Sequence, residues 1–126
     1  MRDLQYEGSW WGFSNYDELI ASMELRILVQ EHDDDYQGDS YYIFKKGREY
    51  GVLIFGWGSC SGCDALQACD SVAEVTNLRD DLYDRIQWLS KSGLREWLAN
   101  RNEANDWWLN YSQGRTFLAR ARELVN

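Results

Sequence analysis

The stretch that decides the fold is SYYIFKKGREYGVLIFGW, residues 40–57. Two runs rich in aromatic and branched aliphatic side chains flank a short polar segment that contains Gly47. Such runs favour extended backbone, and a glycine between them permits the positive φ that a tight chain reversal requires. The stretch therefore predicts a β-hairpin of two antiparallel strands.

The sequence on either side extends this hairpin into a sheet. Before it, ELRILVQ (residues 24–30) alternates Leu25, Ile27 and Val29 with Glu24, Arg26 and Gln30, which is the pattern of a half-buried strand. After it, RIQWLS (residues 85–90) fits either the last turn of a helix or a fourth, short strand, and we favour the strand.

Helical patterns account for much of the remaining chain. Ser71 and Glu74 form a capping box, which is typical of a helix N-terminus, and apolar residues follow at helical spacing. The predicted helices span residues 14–23, 72–86, 92–101 and 115–125. The fold class is therefore α+β: a small antiparallel sheet of three to four strands covered by helices, with a mostly helical C-terminal half. Because no repeat or linker interrupts it, the chain is expected to form a single compact domain over residues 1–126.

The charge balance restricts the partners of the chain. The sequence holds 13 Lys and Arg against 21 Asp and Glu, which gives a net charge of −8. A negative field repels nucleic acid phosphates and anionic membranes, and it attracts basic surfaces. We therefore expect a basic protein partner, no nucleic acid and no membrane.

The hydropathy pattern bears on location. No apolar run approaches the ~18 residues that a membrane-spanning helix requires. The N-terminal sequence also lacks the apolar block of a secretory signal peptide. These features predict a cytoplasmic location.

All three cysteines lie in FGWGSCSGCDALQAC, residues 55–69. Cys60 and Cys63 have the spacing of paired zinc ligands, Cys69 is a candidate third ligand, and His32 is a candidate fourth. A closed structural zinc site needs four ligands, and no second Cys-x-x-Cys is present. We therefore assign no metal and expect no cofactor.

The cysteine segment has two other interpretations. A Cys-x-x-Cys before a helix is also the arrangement of redox-active thiols, but the chain has no proline and no repeated βαβ pattern, as a thioredoxin-like site would show. The favoured interpretation is a glycine-rich turn from a strand into a short helix capped by Asp64, with the cysteines as small buried side chains. A small cysteine-cluster protein centred on Cys60, Cys63 and Cys69, with structural zinc or redox chemistry, stays the alternative.

The Gly-Ser-Cys-Ser-Gly-Cys-Asp core of this segment, residues 58–64, carries a resemblance. Together with the Asp106-Trp107 pair and a closing helix, it resembles a group of short proteins from bacteriophages and bacteria. The likeness covers roughly the second two-thirds of the chain. It implies a phage or mobile-element origin and carries over no activity, cofactor or catalytic residue.

Four acidic residues are candidates for partner binding. The segment EHDDDYQGD, residues 31–39, is expected to be a loop between strands, with Asp33, Asp34, Asp35 and Asp39 exposed. Exposed carboxylates of one sign steer an oppositely charged partner over a long range.

Two adjacent tryptophans, Trp107 and Trp108, are further candidates. Neighbouring side chains on a regular element point in different directions, so at least one is expected at the surface. Tryptophan is prominent among the anchor residues of protein interfaces. Either residue is therefore a candidate anchor for a partner.

The catalytic inventory is poor. The chain has one histidine, and no serine or cysteine lies at a recognised motif spacing from it. We therefore predict that the protein is not an enzyme. The predicted function is an acidic protein-binding module, a phage or mobile-element inhibitor that masks a basic surface of a host nuclease, a defence protein or a toxin.

Overall fold

The computed structural model describes residues 1–4, 16–35, 37–58 and 64–126. These residues form two compact units. The first comprises Met1–Leu25 and Trp57–Arg85, and the second comprises Arg26–Gly56 and Ile86–Asn126. The single compact domain expected from the sequence stays a prediction.

A four-stranded antiparallel sheet has its strands in the order of the chain. The predicted hairpin is confirmed, and Gly47 has a φ of 59° in its two-residue turn. The fourth strand is also confirmed, since β4 pairs with β3. With the helices, this sheet confirms the α+β class. The strands are β1 (Arg26–His32), β2 (Gly38–Lys46), β3 (Glu49–Trp57) and β4 (Gln87–Leu89).

An irregularity in β1 overturns the alternation predicted there. The pairing with β2 passes from Ile27 opposite Phe44 directly to Val29 opposite Ile43, so Leu28 is an extra residue. Such a bulge interrupts the strict alternation of side chains. As a result Leu28 packs against the core of the second unit, and Ile27, which we expected to be buried, is exposed.

Two helices complete the second unit with the sheet. The helix α3 (Lys91–Ala99) begins at Ser90, whose hydroxyl oxygen accepts a hydrogen bond from the Gly93 N–H. The helix α4 (Ser112–Leu124) packs against β1 and β2. The shared core comprises Val29, Tyr41, Ile43, Val52, Leu94, Leu98, Trp108, Leu109, Phe117, Leu118, Ala121 and Val125.

The first unit contains the other two helices, α1 (Asp17–Ser22) and α2 (Val72–Asp84), which pack together. The capping box is present in part, because the Ser71 hydroxyl oxygen accepts a hydrogen bond from the Glu74 N–H. The buried Arg79 guanidinium donates to the Arg2 carbonyl and to the Ser22 hydroxyl. None of the described helices has the length and apolar character that a membrane crossing requires.

The short helix predicted after Asp64 is a turn instead. The Asp64 carboxylate does accept a hydrogen bond from the Gln67 N–H, as a cap would. The Cys69 N–H then bonds to the Leu66 carbonyl three residues back, which tightens the chain and ends the turn. Capping chemistry is therefore present here without a following helix.

Candidate functional site

The two adjacent tryptophans have opposite environments. They begin a 3₁₀ turn, Trp107–Asn110, that leads into α4. Trp107 is 56% exposed, whereas Trp108 is 5% exposed and its ring packs against Tyr41, Trp97 and Phe117. The prediction that Trp108 is a candidate surface anchor is therefore wrong, because its ring is buried in the core of the second unit. Trp107 has the exposure that an anchor requires.

Trp107 forms an exposed aromatic patch with Tyr111, which is 51% exposed. The two rings meet edge to face, with centroids 6.1 Å apart and planes 86° apart. The Tyr111 N–H bonds to the Trp108 carbonyl, which fixes the backbone at the start of α4. Edge-to-face contact stabilises a ring pair without hiding its outer surface. The patch can therefore be held in place and still contact a partner.

The four candidate acidic residues also divide into two classes. Asp34 and Asp35 are exposed as predicted, but Asp33 and Asp39 are buried, so the prediction is wrong for these two. Asp39 belongs to β2 and not to the loop. The Asp33 carboxylate points toward the first residues of β2. There it accepts hydrogen bonds from the Asp39 N–H and the Tyr41 hydroxyl, each at 2.9 Å.

Asp39 is buried without a hydrogen bond to its carboxylate from any described residue. Only 5% of the residue is exposed. Because side chains alternate along a strand, Asp39 lies on the same face of β2 as Tyr41. Burial, and then the charge of Asp33, raise the pKa of Asp39 to about 6. A desolvated carboxylate beside another carboxylate weakens a fold, so packing does not explain this residue.

Tyr41 connects the buried Asp33 with the turn that carries the aromatic patch, because its hydroxyl donates to Asp33 and its ring packs against Trp108. Burial, and then its hydrogen bond to Asp33, raise the pKa of the Tyr41 hydroxyl. The charges of Asp33, Asp39 and Tyr111 raise this pKa further. We call Asp33, Asp39, Tyr41, Trp107 and Tyr111 the acid–aromatic site. All five belong to the second unit.

Asp39→Asn is expected to raise the free energy of unfolding at pH 7.5 by about 1–2 kcal/mol. The folded state keeps the Asp39 proton up to about pH 6, whereas the ordinary value is 3.8. The folded state therefore binds more protons between these pH values, and the stability that Asp39 contributes falls as the pH rises through about 6. Urea unfolding of both proteins at pH 4.5 and pH 7.5 measures the effect.

The gain from Asp39→Asn should be small at the lower pH, because a protonated carboxyl and an amide are both uncharged. Asp34→Asn is the matched control, since its exposed carboxylate should change stability by less than about 0.5 kcal/mol at either pH. A gain from Asp39→Asn that is equal at the two pH values would contradict the titration assigned to this residue.

Of the candidate metal ligands, the structure describes Cys69 and His32. Cys60 and Cys63 lie outside the described residues. The Cys69 thiol donates to the Ala65 carbonyl, and burial followed by nearby carboxylates raises its pKa, which opposes a reactive thiolate. His32 bonds through both ring nitrogens to the side chains of Gln30 and Ser40. Among the described residues no group of three or more His, Cys, Asp or Glu is placed to hold a metal ion.

Sequence reasoning missed Tyr41 and Tyr111 and misjudged Asp39. A signal for Asp39 was available, because Asp39, Tyr41 and Ile43 are two residues apart and would share a face if the strand began at Gly38. No comparable signal marks Tyr111, whose position depends on the irregular turn before α4.

No family model, curated protein sequence or solved structure matches this chain. Because no relative indicates a function, the geometry of the acid–aromatic site is the basis for a functional proposal. It combines an exposed aromatic pair with the buried Asp39, whose carboxylate accepts no hydrogen bond from a described residue.

Proposed function

We propose that this chain is a non-catalytic, acidic binding module that covers a basic surface of another protein through the acid–aromatic site. The observation that carries the proposal is the exposed Trp107–Tyr111 pair, on the turn whose Trp108 packs against Tyr41, the hydrogen-bond donor to the buried Asp33. Tryptophan and tyrosine bury a large area at a small cost in side-chain entropy, so they dominate the energetics of many interfaces.

The charge distribution supports a basic partner. The chain has a net charge of −8, and the exposed Asp34 and Asp35 lie next to Asp33 of the site. Such charges raise the rate of encounter with a basic surface more than they strengthen the final complex. Charge and anchor therefore have separate tasks: the carboxylates steer the partner, and the aromatic patch holds it.

The chemistry of the site favours binding over catalysis. The Tyr41 hydroxyl is buried, its raised pKa keeps it protonated at neutral pH, and both Asp33 oxygens already accept hydrogen bonds. No nucleophile paired with a base occurs in the site. An acidic protein that occupies a basic groove blocks the groove without chemistry. This suits an inhibitor of a host nuclease or defence protein, or an immunity protein paired with a toxin.

Capture from a lysate of the native host tests the proposal. Immobilised wild-type protein and Trp107→Ala are compared by quantitative mass spectrometry. We expect a basic protein whose recovery falls at least about tenfold with Trp107→Ala, since an anchor residue contributes on the order of 2 kcal/mol. Ile27→Ala is the matched control, because it removes another exposed apolar side chain from the second unit and should leave recovery unchanged.

The steering role is tested on the same captured partner. The double variant Asp34→Asn/Asp35→Asn should slow association at low salt, and the difference should shrink as salt is added. Asp81→Asn/Asp84→Asn changes the net charge equally on exposed positions of α2 and serves as the control. The proposal is wrong if no protein depends on Trp107, or if the dependent protein is acidic.

A further inference from the structure

We propose that the space above Gly56 is a receptor for an arginine side chain of the partner, with the Asp39 carboxylate as the main acceptor of its guanidinium. This inference rests on the proposed function and deepens it, because it names the group that the basic partner inserts. The acceptor, the space beside it and the neighbouring rings each point to that group.

Asp39 is the open acceptor of the carboxylate pair. One carboxylate oxygen of Asp33 accepts a hydrogen bond from the Asp39 N–H, and the other accepts one from the Tyr41 hydroxyl. The carboxylate of Asp39 has no such partner among the described residues, although only 5% of the residue is exposed. Buried charges are almost always paired in proteins, so an unpaired one is a candidate for pairing with a ligand.

The space beside Asp39 has the right lining. A Cβ built on Gly56 would lie 3.5 Å from Asp39 Oδ1 and 3.7 Å from the Gly38 carbonyl oxygen. These are the described atoms within 4 Å of that point outside the adjoining chain, and both are hydrogen-bond acceptors. Gly56 itself is exposed, so the space opens to solvent. A group with several N–H donors that enters this space can donate hydrogen bonds to Asp39 Oδ1 and to the Gly38 carbonyl oxygen.

The acceptor set favours guanidinium over a metal ion. A divalent cation takes six or more oxygen ligands or several carboxylates, whereas one open carboxylate and one carbonyl are present here. The planar guanidinium offers five donors in a fixed fork, it is weakly hydrated, and its face stacks on aromatic rings. The exposed Trp107 and Tyr111 belong to the turn whose Trp108 packs against Tyr41, so the second unit supplies aromatic faces for such stacking.

Nuclear magnetic resonance titration with N-acetyl-arginine methylamide tests the receptor without the partner. The Asp39 carboxyl carbon reports its own protonation. The group whose charge acts on Asp39 is Asp33, which follows β1, and Asp39 in turn acts on the Tyr41 hydroxyl. We expect the arginine compound to bind with a Kd in the millimolar range, to lower the titration midpoint of Asp39, and to bind less tightly as the pH falls from 7 to 5.

The citrulline analogue is the matched ligand control, because it has the same shape without the charge. Asp39→Asn and Gly56→Ala should each weaken arginine binding at least about tenfold, and Asp81→Asn, at an exposed position of α2, should leave it unchanged. The Gly56→Ala methyl fits at ordinary contact distance, so this variant should fold. The inference is overturned if citrulline binds as well as arginine, if the lysine analogue binds as tightly, or if Asp39→Asn retains binding.

Failure of this inference is distinguishable from failure of the proposed function. If the captured partner is lost with Trp107→Ala but binds Asp39→Asn as it binds the wild type, the arginine receptor is wrong and the binding module stands. If both variants lose the partner in parallel, and the partner loses affinity when one of its arginines becomes glutamine, the receptor is supported.

Discussion

Trp108→Ala should lower the free energy of unfolding by about 3–5 kcal/mol, whereas Trp107→Ala should lower it by less than about 1 kcal/mol. Trp108 lies in the core of the second unit, where its ring contacts Tyr41, Trp97 and Phe117. Removing it leaves a cavity that the surrounding rings cannot fill. Trp107 is mostly in solvent and packs chiefly on Tyr111, so its removal leaves no cavity.

Urea unfolding at neutral pH measures both changes, with far-ultraviolet circular dichroism as the probe because both variants alter fluorescence. Trp108→Phe is the matched control, since it keeps an aromatic ring and should recover part of the loss. If Trp107→Ala destabilises the protein as much as Trp108→Ala does, then Trp107 is a core residue. The anchor role proposed for it would then be wrong.

The hairpin and the fourth strand could be predicted because their signals are local. Residues 40–57 combine strong β-formers with a glycine at the one position that takes a positive φ, and the structure uses that signal directly. The bulge at Leu28 has no such local mark. A bulge depends on how two strands fit together, so the side-chain alternation of β1 could not be predicted from β1 alone.

The candidate site was harder to predict, because burial depends on tertiary packing. The sequence identified a tryptophan pair, but the choice between Trp107 and Trp108 depends on which ring the core accepts. Asp39 shows a related difficulty. An aspartate in an acidic stretch is expected in solvent, and only a strand that begins at Gly38 carries this one into the protein.

The burial of Asp39 is expected to have opposite effects on stability and on partner binding. Its desolvated carboxylate opposes folding at neutral pH, so Asp39→Asn should stabilise the protein while it weakens partner binding. A purely structural residue would change both quantities in the same direction. Measuring both on one variant therefore tests whether the acid–aromatic site exists to bind a ligand.

Gly114→Ala should lower the free energy of unfolding by about 2 kcal/mol or more, although alanine is ordinarily preferred to glycine in a helix by about 1 kcal/mol. A Cβ on Gly114 would overlap the Trp108 carbonyl oxygen and lie 3.0 Å from its carbonyl carbon. These are backbone atoms of the 3₁₀ turn, and they cannot move aside as a flexible side chain can. The overlap therefore outweighs the helical preference.

Gly93→Ala in α3 is the matched control for this substitution. Its Cβ would meet the Ser90 hydroxyl at 3.1 Å and otherwise only the Leu89 side chain at 3.6 Å, so stability should change by less than about 1 kcal/mol. Because Gly114 lets α4 approach the turn that holds Trp107, Gly114→Ala should also shift the Trp107 indole N–H resonance, and Gly93→Ala should not. A Gly114→Ala protein as stable as the wild type, with an unchanged Trp107 signal, would mean that close packing of α4 on this turn does not position the aromatic patch.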